Sequence, residues 1–164
     1  MSGILYAITE EQMQHLLDAG DDEDAVQSVL YEDIEEPWDR DHLCDMDKAW
    51  DGIHRCLADG TLSWLGGFYP LSFCILGGNP LCTDPGEPVS LKTPEQVRDI
   101  ATAVAGITRE RMRQLYLPLR HTDYPREWYG EDDFDYIWDH FEYVKAFYQM
   151  AAAEGRAVVF AAGD

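Results

Sequence analysis

Asp47, Asp51 and His54 stand at i, i+4 and i+7 in the stretch Cys44–Leu57, a spacing that puts two carboxylates and an imidazole on one stripe of an α-helix. An imidazole with a pKa near 6.5 beside a carboxylate suits general acid–base work. The same set can hold a divalent metal, with His121 or His140 as further members where the fold brings them in. It also fits a plain polar edge, because Lys48 with Asp51 and Asp51 with Arg55 are local ion pairs that need no chemistry. Acidic chains produce this spacing often. The double glycines at 66–67 and 77–78 are not followed by the Lys-Ser/Thr of a phosphate loop, and neither a G-x-G-x-x-G nor a G-x-S-x-G motif is present. Asp47, Asp51 and His54 are thus the residues of an alternative reading, an enzyme or metal-binding protein; the main reading involves no catalytic residue, metal or cofactor.

That main reading starts from charge. The 164 residues carry 32 acidic side chains against 12 basic ones, a formal net charge of -20. Such a field repels phosphate backbones and argues against nucleic-acid binding, while it attracts basic proteins. The acidic excess concentrates in Asp18–Asp51 and Asp123–Glu142, and each stretch contains aromatic residues suited to anchor an interface. The expected partner-binding residues are Tyr31, Glu35, Glu36, Trp38, Asp39 and Asp41 in the first, and Trp128, Tyr129, Asp132 and Asp133 in the second. The function that follows is protein interaction, most concretely an immunity protein or inhibitor that covers a basic partner such as a toxin.

The elements that position these residues read as a single domain over 1–164. A hydrophobic fraction of 46% and an aromatic fraction of 12% supply a packed core, and a chain of this size hides roughly 70% of its unfolded surface. Gly3–Ile8 and Ala157–Ala162 are apolar enough to be buried strands. Thr9 and Thr93 each open a capping box, closed by Gln12 and Gln96, with Pro94 at the first helical position after Thr93. Thr108 caps another helix. A helix from about Asp22 to Glu32 follows the first, and Glu32–Asp45 reads as a surface loop. Asp45 is the expected N-cap of the helix carrying Asp47, Asp51 and His54, which runs to Gly60. Leu62–Cys82 is broken by glycine and proline into loops around a short helix at Pro70–Ile75. Phe134, Ile137, Trp138, Phe141, Val144 and Tyr148 give Glu131–Glu154 a wide apolar face and make it the core's main column. The two terminal strands pair in a small sheet with helices packed on it, a helix-rich α+β fold.

Half of the positive charge lies in Lys92–Arg120, which is expected to fold against the acidic first third. Cys44, Cys56, Cys74 and Cys82 form no C-x-x-C pair and sit among apolar neighbours, so they read as reduced thiols. The N-terminus lacks a basic leader and no apolar run reaches the ~18 residues of a membrane span, so a cytoplasmic location without membrane contact is expected. Tyr124–Pro125 is a candidate cis bond.

Taken together, Gly3-Ile4-Leu5-Tyr6, Asp45-Met46-Asp47-Lys48-Ala49-Trp50-Asp51-Gly52-Ile53-His54, Pro70-Leu71-Ser72, Leu76-Gly77-Gly78, Leu91 to Val97, Tyr124-Pro125 with Trp128, and Ala152-Ala153-Glu154-Gly155 resemble the YfbM-like family of bacterial proteins. The resemblance spans nearly the whole chain. It implies a single α+β domain of a kind found near toxin–immunity gene neighbourhoods, and it supplies no activity and no catalytic residues.

Overall fold

The computed structural model describes all of residues 1–164. Strand β1 (Ser2–Ile8) leads through a Thr9–Gln12 capping box into helix α1 (Glu10–Ala19), and Asp22 caps α2 (Glu23–Val29), which continues as a wider π turn over Leu30–Glu35. Then follow β2 (Leu43–Asp45), α3 (Ala49–Leu57), β3 (Asn79–Cys82), β4 (Val89–Lys92), α4 (Pro94–Ala105), α5 (Arg109–Tyr116), α6 (Glu131–Ala153) and β5 (Ala157–Gly163). The terminal strands pair antiparallel along their full length, from Ser2 opposite Gly163 to Ile8 opposite Ala157. They are the middle of a five-stranded antiparallel sheet of order β2-β1-β5-β4-β3.

Strand alternation sorts the core into two layers. Leu5, Ala7, Val158, Phe160 and Ala162 face α3, α4 and α6, whereas Tyr6, Ile8, Val159 and Ala161 face α1, α2 and the π turn. The sheet is therefore covered on both faces. Gly3 is required where Trp50 of α3 lies on β1, because a Cβ there would fall 2.6 Å from the indole ring.

Several expectations are corrected. β2 and β3 occupy stretches that read as loops, and Pro80 sits in β3 because that strand is an edge. The Pro70–Ile75 helix is a single 3₁₀ turn, Leu71–Phe73. Asp45 closes β2 instead of capping α3: its Oδ1 accepts from the Asp47 amide at 2.9 Å, and α3 starts four residues later and ends at Leu57. Of the basic segment, α5 packs on α3 at the end of the acidic first third, but its ion pairs go elsewhere. Arg109 pairs with Asp135 and Arg113 grips Glu131 with both guanidinium nitrogens, so α5 neutralises the first turns of α6. The cis peptide bond is Tyr69–Pro70, not Tyr124–Pro125. All four cysteines are free and buried, and no helix is long and apolar enough to cross a membrane.

Candidate functional site

The structure separates Asp47, Asp51 and His54. Asp47 precedes α3 in a left-handed conformation (φ 48°), so it never joins the helical stripe. Its Oδ2 accepts from the Tyr136 hydroxyl at 2.6 Å and its Oδ1 from Ser2 at 3.3 Å; the Tyr136 bond holds its pKa below the usual range. Asp51 accepts from Arg55 Nε at 2.6 Å. His54 is fully buried, with both ring nitrogens engaged by main chain: Leu76 N–H donates to Nδ1 at 3.4 Å, so Nε2 carries the proton and donates to Ser63 O at 3.0 Å. Burial drives its pKa down to about 4. This histidine is a neutral brace for the 61–76 loop. His121 and His140 do not join it, since Arg120 Nε donates to His121 and Nδ1 of His140 bonds Tyr136 O. No three His, Cys, Asp or Glu side chains converge as a metal site requires.

A concave site forms beside these residues. The start of α3 and the first turns of α6 flank a groove of about 750 Å³, walled by Trp50, Tyr124, Trp128 and Tyr136 and edged by Asp51, Asp132 and Asp133. Each wall has a reason in the chain. Glu131–Asp133 lie in the first turn of α6, where the helix dipole favours carboxylates. Asp133 Oδ2 accepts from both Tyr116 and Tyr124 hydroxyls at 2.8 Å, which ties the 116–124 connection to α6. Trp128 packs edge-on to Tyr124 and stays 49% exposed.

Beneath the groove, the buried Arg55 is held between two carboxylates. Its Nε donates to Asp51 and an Nη to Asp123, each at 2.6 Å, and the guanidinium lies 5.5 Å from the Tyr124 ring centre. Burial raises the Asp51 pKa against the opposing pull of Arg55, whereas Asp123, which reaches solvent, is lowered by the same arginine. The phenols of Tyr116, Tyr124 and Tyr136 are all raised, first by burial and then by the carboxylates they bond, so they remain donors at neutral pH. Burial pushes the thiols up as well, Cys44 and Cys74 to about 12 and Cys82 to about 11. The groove thus presents aromatic faces and negative charge, its phenol protons already given to Asp133 and Asp47, with no histidine or thiolate nucleophile on its walls.

The expected partner-binding residues fall on opposite layers. Trp128, Tyr129, Asp132 and Asp133 belong to the α6 side; Tyr129 stacks on Tyr116 at 4.8 Å between ring centres. Asp41 lines a hollow beside Tyr143 and Phe147 of α6, while Tyr31, Glu35, Glu36 and Trp38 lie in and just after the π turn on the other face of the sheet, with Asp39 following them. There Tyr31 and Trp38 are 60% and 41% exposed, and Asp39 is tied to His42 at 2.7 Å. Tyr136, Tyr124, Lys48 and Asp123 are site residues that sequence spacing does not pick out. The signal available was the aromatic density of 124–136 ahead of an acidic helix start.

A family profile, Domain of unknown function (DUF1877), matches residues 1–161. The chain belongs to this family. Among solved structures, a protein of unknown function, YfbM from Escherichia coli, superposes with a TM-score of 0.69 at 20% identity, over 98% of this chain and 99% of that one. At that identity the likeness speaks for the fold alone. No curated protein matches the chain in sequence.

Proposed function

We propose that this protein acts by binding a basic partner protein, most concretely as an immunity-type inhibitor that covers a basic toxin. The carrying observation is a net charge of -20 displayed together with solvent-exposed Trp128, Trp38 and Tyr31 among the carboxylates. Complementary fields speed encounter and set register, and exposed aromatics supply the desolvated contact. Of the two patches, the Trp128 side supports the reading better because its hollow is the larger, about 750 Å³ against about 350 Å³ beside Glu35 and Trp38. A cytoplasmic setting suits four free thiols.

Affinity capture at about 50 mM salt, where charges remain weakly screened, followed by calorimetric titration of the captured protein, tests this. Retention of a basic protein with saturable binding is expected; failure to retain any basic protein at that ionic strength sinks the reading.

A further inference from the structure

Resting on that reading, we propose that the groove between α3 and α6 receives an arginine side chain of the partner, its guanidinium lying against Trp128 and on the carboxylates of Asp132 and Asp133.

Charge selects the sign of the occupant. Around the groove and the side chains that brace it stand Asp47, Asp51, Asp123, Asp132 and Asp133 against three cations, Lys48, Arg55 and the Met1 ammonium; Arg55 is already paired on both sides and Met1 N lies 3.2 Å from Asp164. An anionic ligand meets repulsion there. Free acceptors define the contact. Asp132 accepts no hydrogen bond from the protein, and Asp133 uses only Oδ2, leaving Oδ1 open. Asp132 is exposed, Asp133 is half-buried, and both line the groove.

The aromatic walls select guanidinium over ammonium. A planar guanidinium stacks on an aromatic face while its edge pairs with a carboxylate, whereas ammonium is a compact point charge. The protein uses this chemistry itself one layer down, where Arg55 sits between two carboxylates beside the Tyr124 ring.

Size and surroundings select a polypeptide as the source. About 750 Å³ is more than one side chain needs. Leu62 forms part of the groove wall and opens the loop that ends at Tyr69, on which Leu65 and Phe68 stand 93% and 89% exposed. That conformation is built in: at Gly67 (φ 88°) a Cβ would lie 2.6 Å from Ala58 Cα. An apolar loop beside an acidic groove fits a basic protein surface. A second copy of this chain brings the same -20 and is repelled.

The test uses the whole protein with a peptide of alternating arginine and glycine, its lysine counterpart, and its citrulline counterpart, which keeps shape without charge. Binding is followed by calorimetry and by the Trp128 indole N–H signal. The arginine peptide should shift that signal and bind about fivefold or more tighter than the lysine peptide, and citrulline should abolish binding. Asp132→Asn and Trp128→Ala should each weaken the arginine peptide about tenfold, while a Glu10→Gln/Glu11→Gln variant on α1, in the far layer, stays within about twofold. Equal binding of arginine and lysine peptides overturns the proposal, as does equal weakening by the far-layer variant. Should the groove variants hold a captured basic protein as tightly as the parent, the groove assignment falls while the binding reading survives. Absence of any basic partner overturns both.

Discussion

Two buried ionisable side chains set what single residues do here. Lys92 is fully buried on β4, its ammonium donating to Ile75 O and, at 2.6 Å, to Ser90 Oγ, with the Phe160 ring centre 5.4 Å away. Burial pushes its pKa down to about 7. The folded value lies below the unfolded one near 10.4, so the native state resists the proton. The resulting penalty is complete below about pH 7 and fades as pH rises towards 10.4. Lys92→Met should therefore be more stable than the parent by about 1–3 kcal/mol at pH 6, with the difference shrinking by pH 10 in urea melts; a pH-independent difference would contradict it. His54 carries the same sign at lower pH. Its folded value of about 4 lies below the unfolded 6.5, so its contribution to stability is present above about pH 6.5 and is lost as pH falls through 6.5 to 4. His54→Ala should cost about 2–4 kcal/mol at neutral pH by opening a cavity and orphaning Ser63 O and Leu76 N. The cost should narrow towards pH 4, as acid melts would show.

At the scale of elements, the legible part of the fold was what local chemistry dictates. Both threonine capping boxes, the Thr108 cap, the long α6 and the paired terminal strands follow from side chains acting within a few residues or from uninterrupted apolar runs. β2 and β3 were not legible because they are three- and four-residue edge strands whose existence depends on neighbours far along the chain. The helical stripe of Asp47, Asp51 and His54 failed for a related reason. The Asx turn at Asp45–Asp47 delays α3, and β1 then takes Gly3 N to Asp47 O at 2.9 Å. The groove escaped notice because it joins Asp51 to Asp133 across 82 positions through the packing of α3 on α6. The 62–69 loop makes a prediction of its own at this scale. Leu65→Ser/Phe68→Ser removes side chains that cover nothing, so stability should stay within about 0.5 kcal/mol of the parent. Affinity for a captured basic partner should fall about tenfold or more if these residues are interface anchors. Thermal melts and calorimetry on one preparation separate the two effects, and a loss of stability without a loss of binding would assign the loop to the fold.

For the molecule as a whole, one quantity acts on folding and on binding with opposite signs. A net charge of -20 on 164 residues repels itself in the compact state, and α5 relieves only the start of α6 through Arg109 and Arg113. Added salt shortens the Debye length from ~30 Å at 0.01 M to about 8 Å at 0.15 M, so it screens that repulsion within the domain. The free protein should gain thermal stability over this range, by roughly a few degrees given that about 1 kcal/mol moves the midpoint of a domain this size by ~2–4 °C. The complex with a basic partner should respond in reverse, because steering depends on the same unscreened field. Its association rate should drop by about one to two orders of magnitude over the same range. Dissociation should change little where the contact is the desolvated Trp128 groove. Thermal melts and stopped-flow association at matched salt concentrations read both trends. A complex whose association rate ignores salt would mean that the acidic surface serves solubility alone, and that whatever the groove recognises, it does not recognise it by charge.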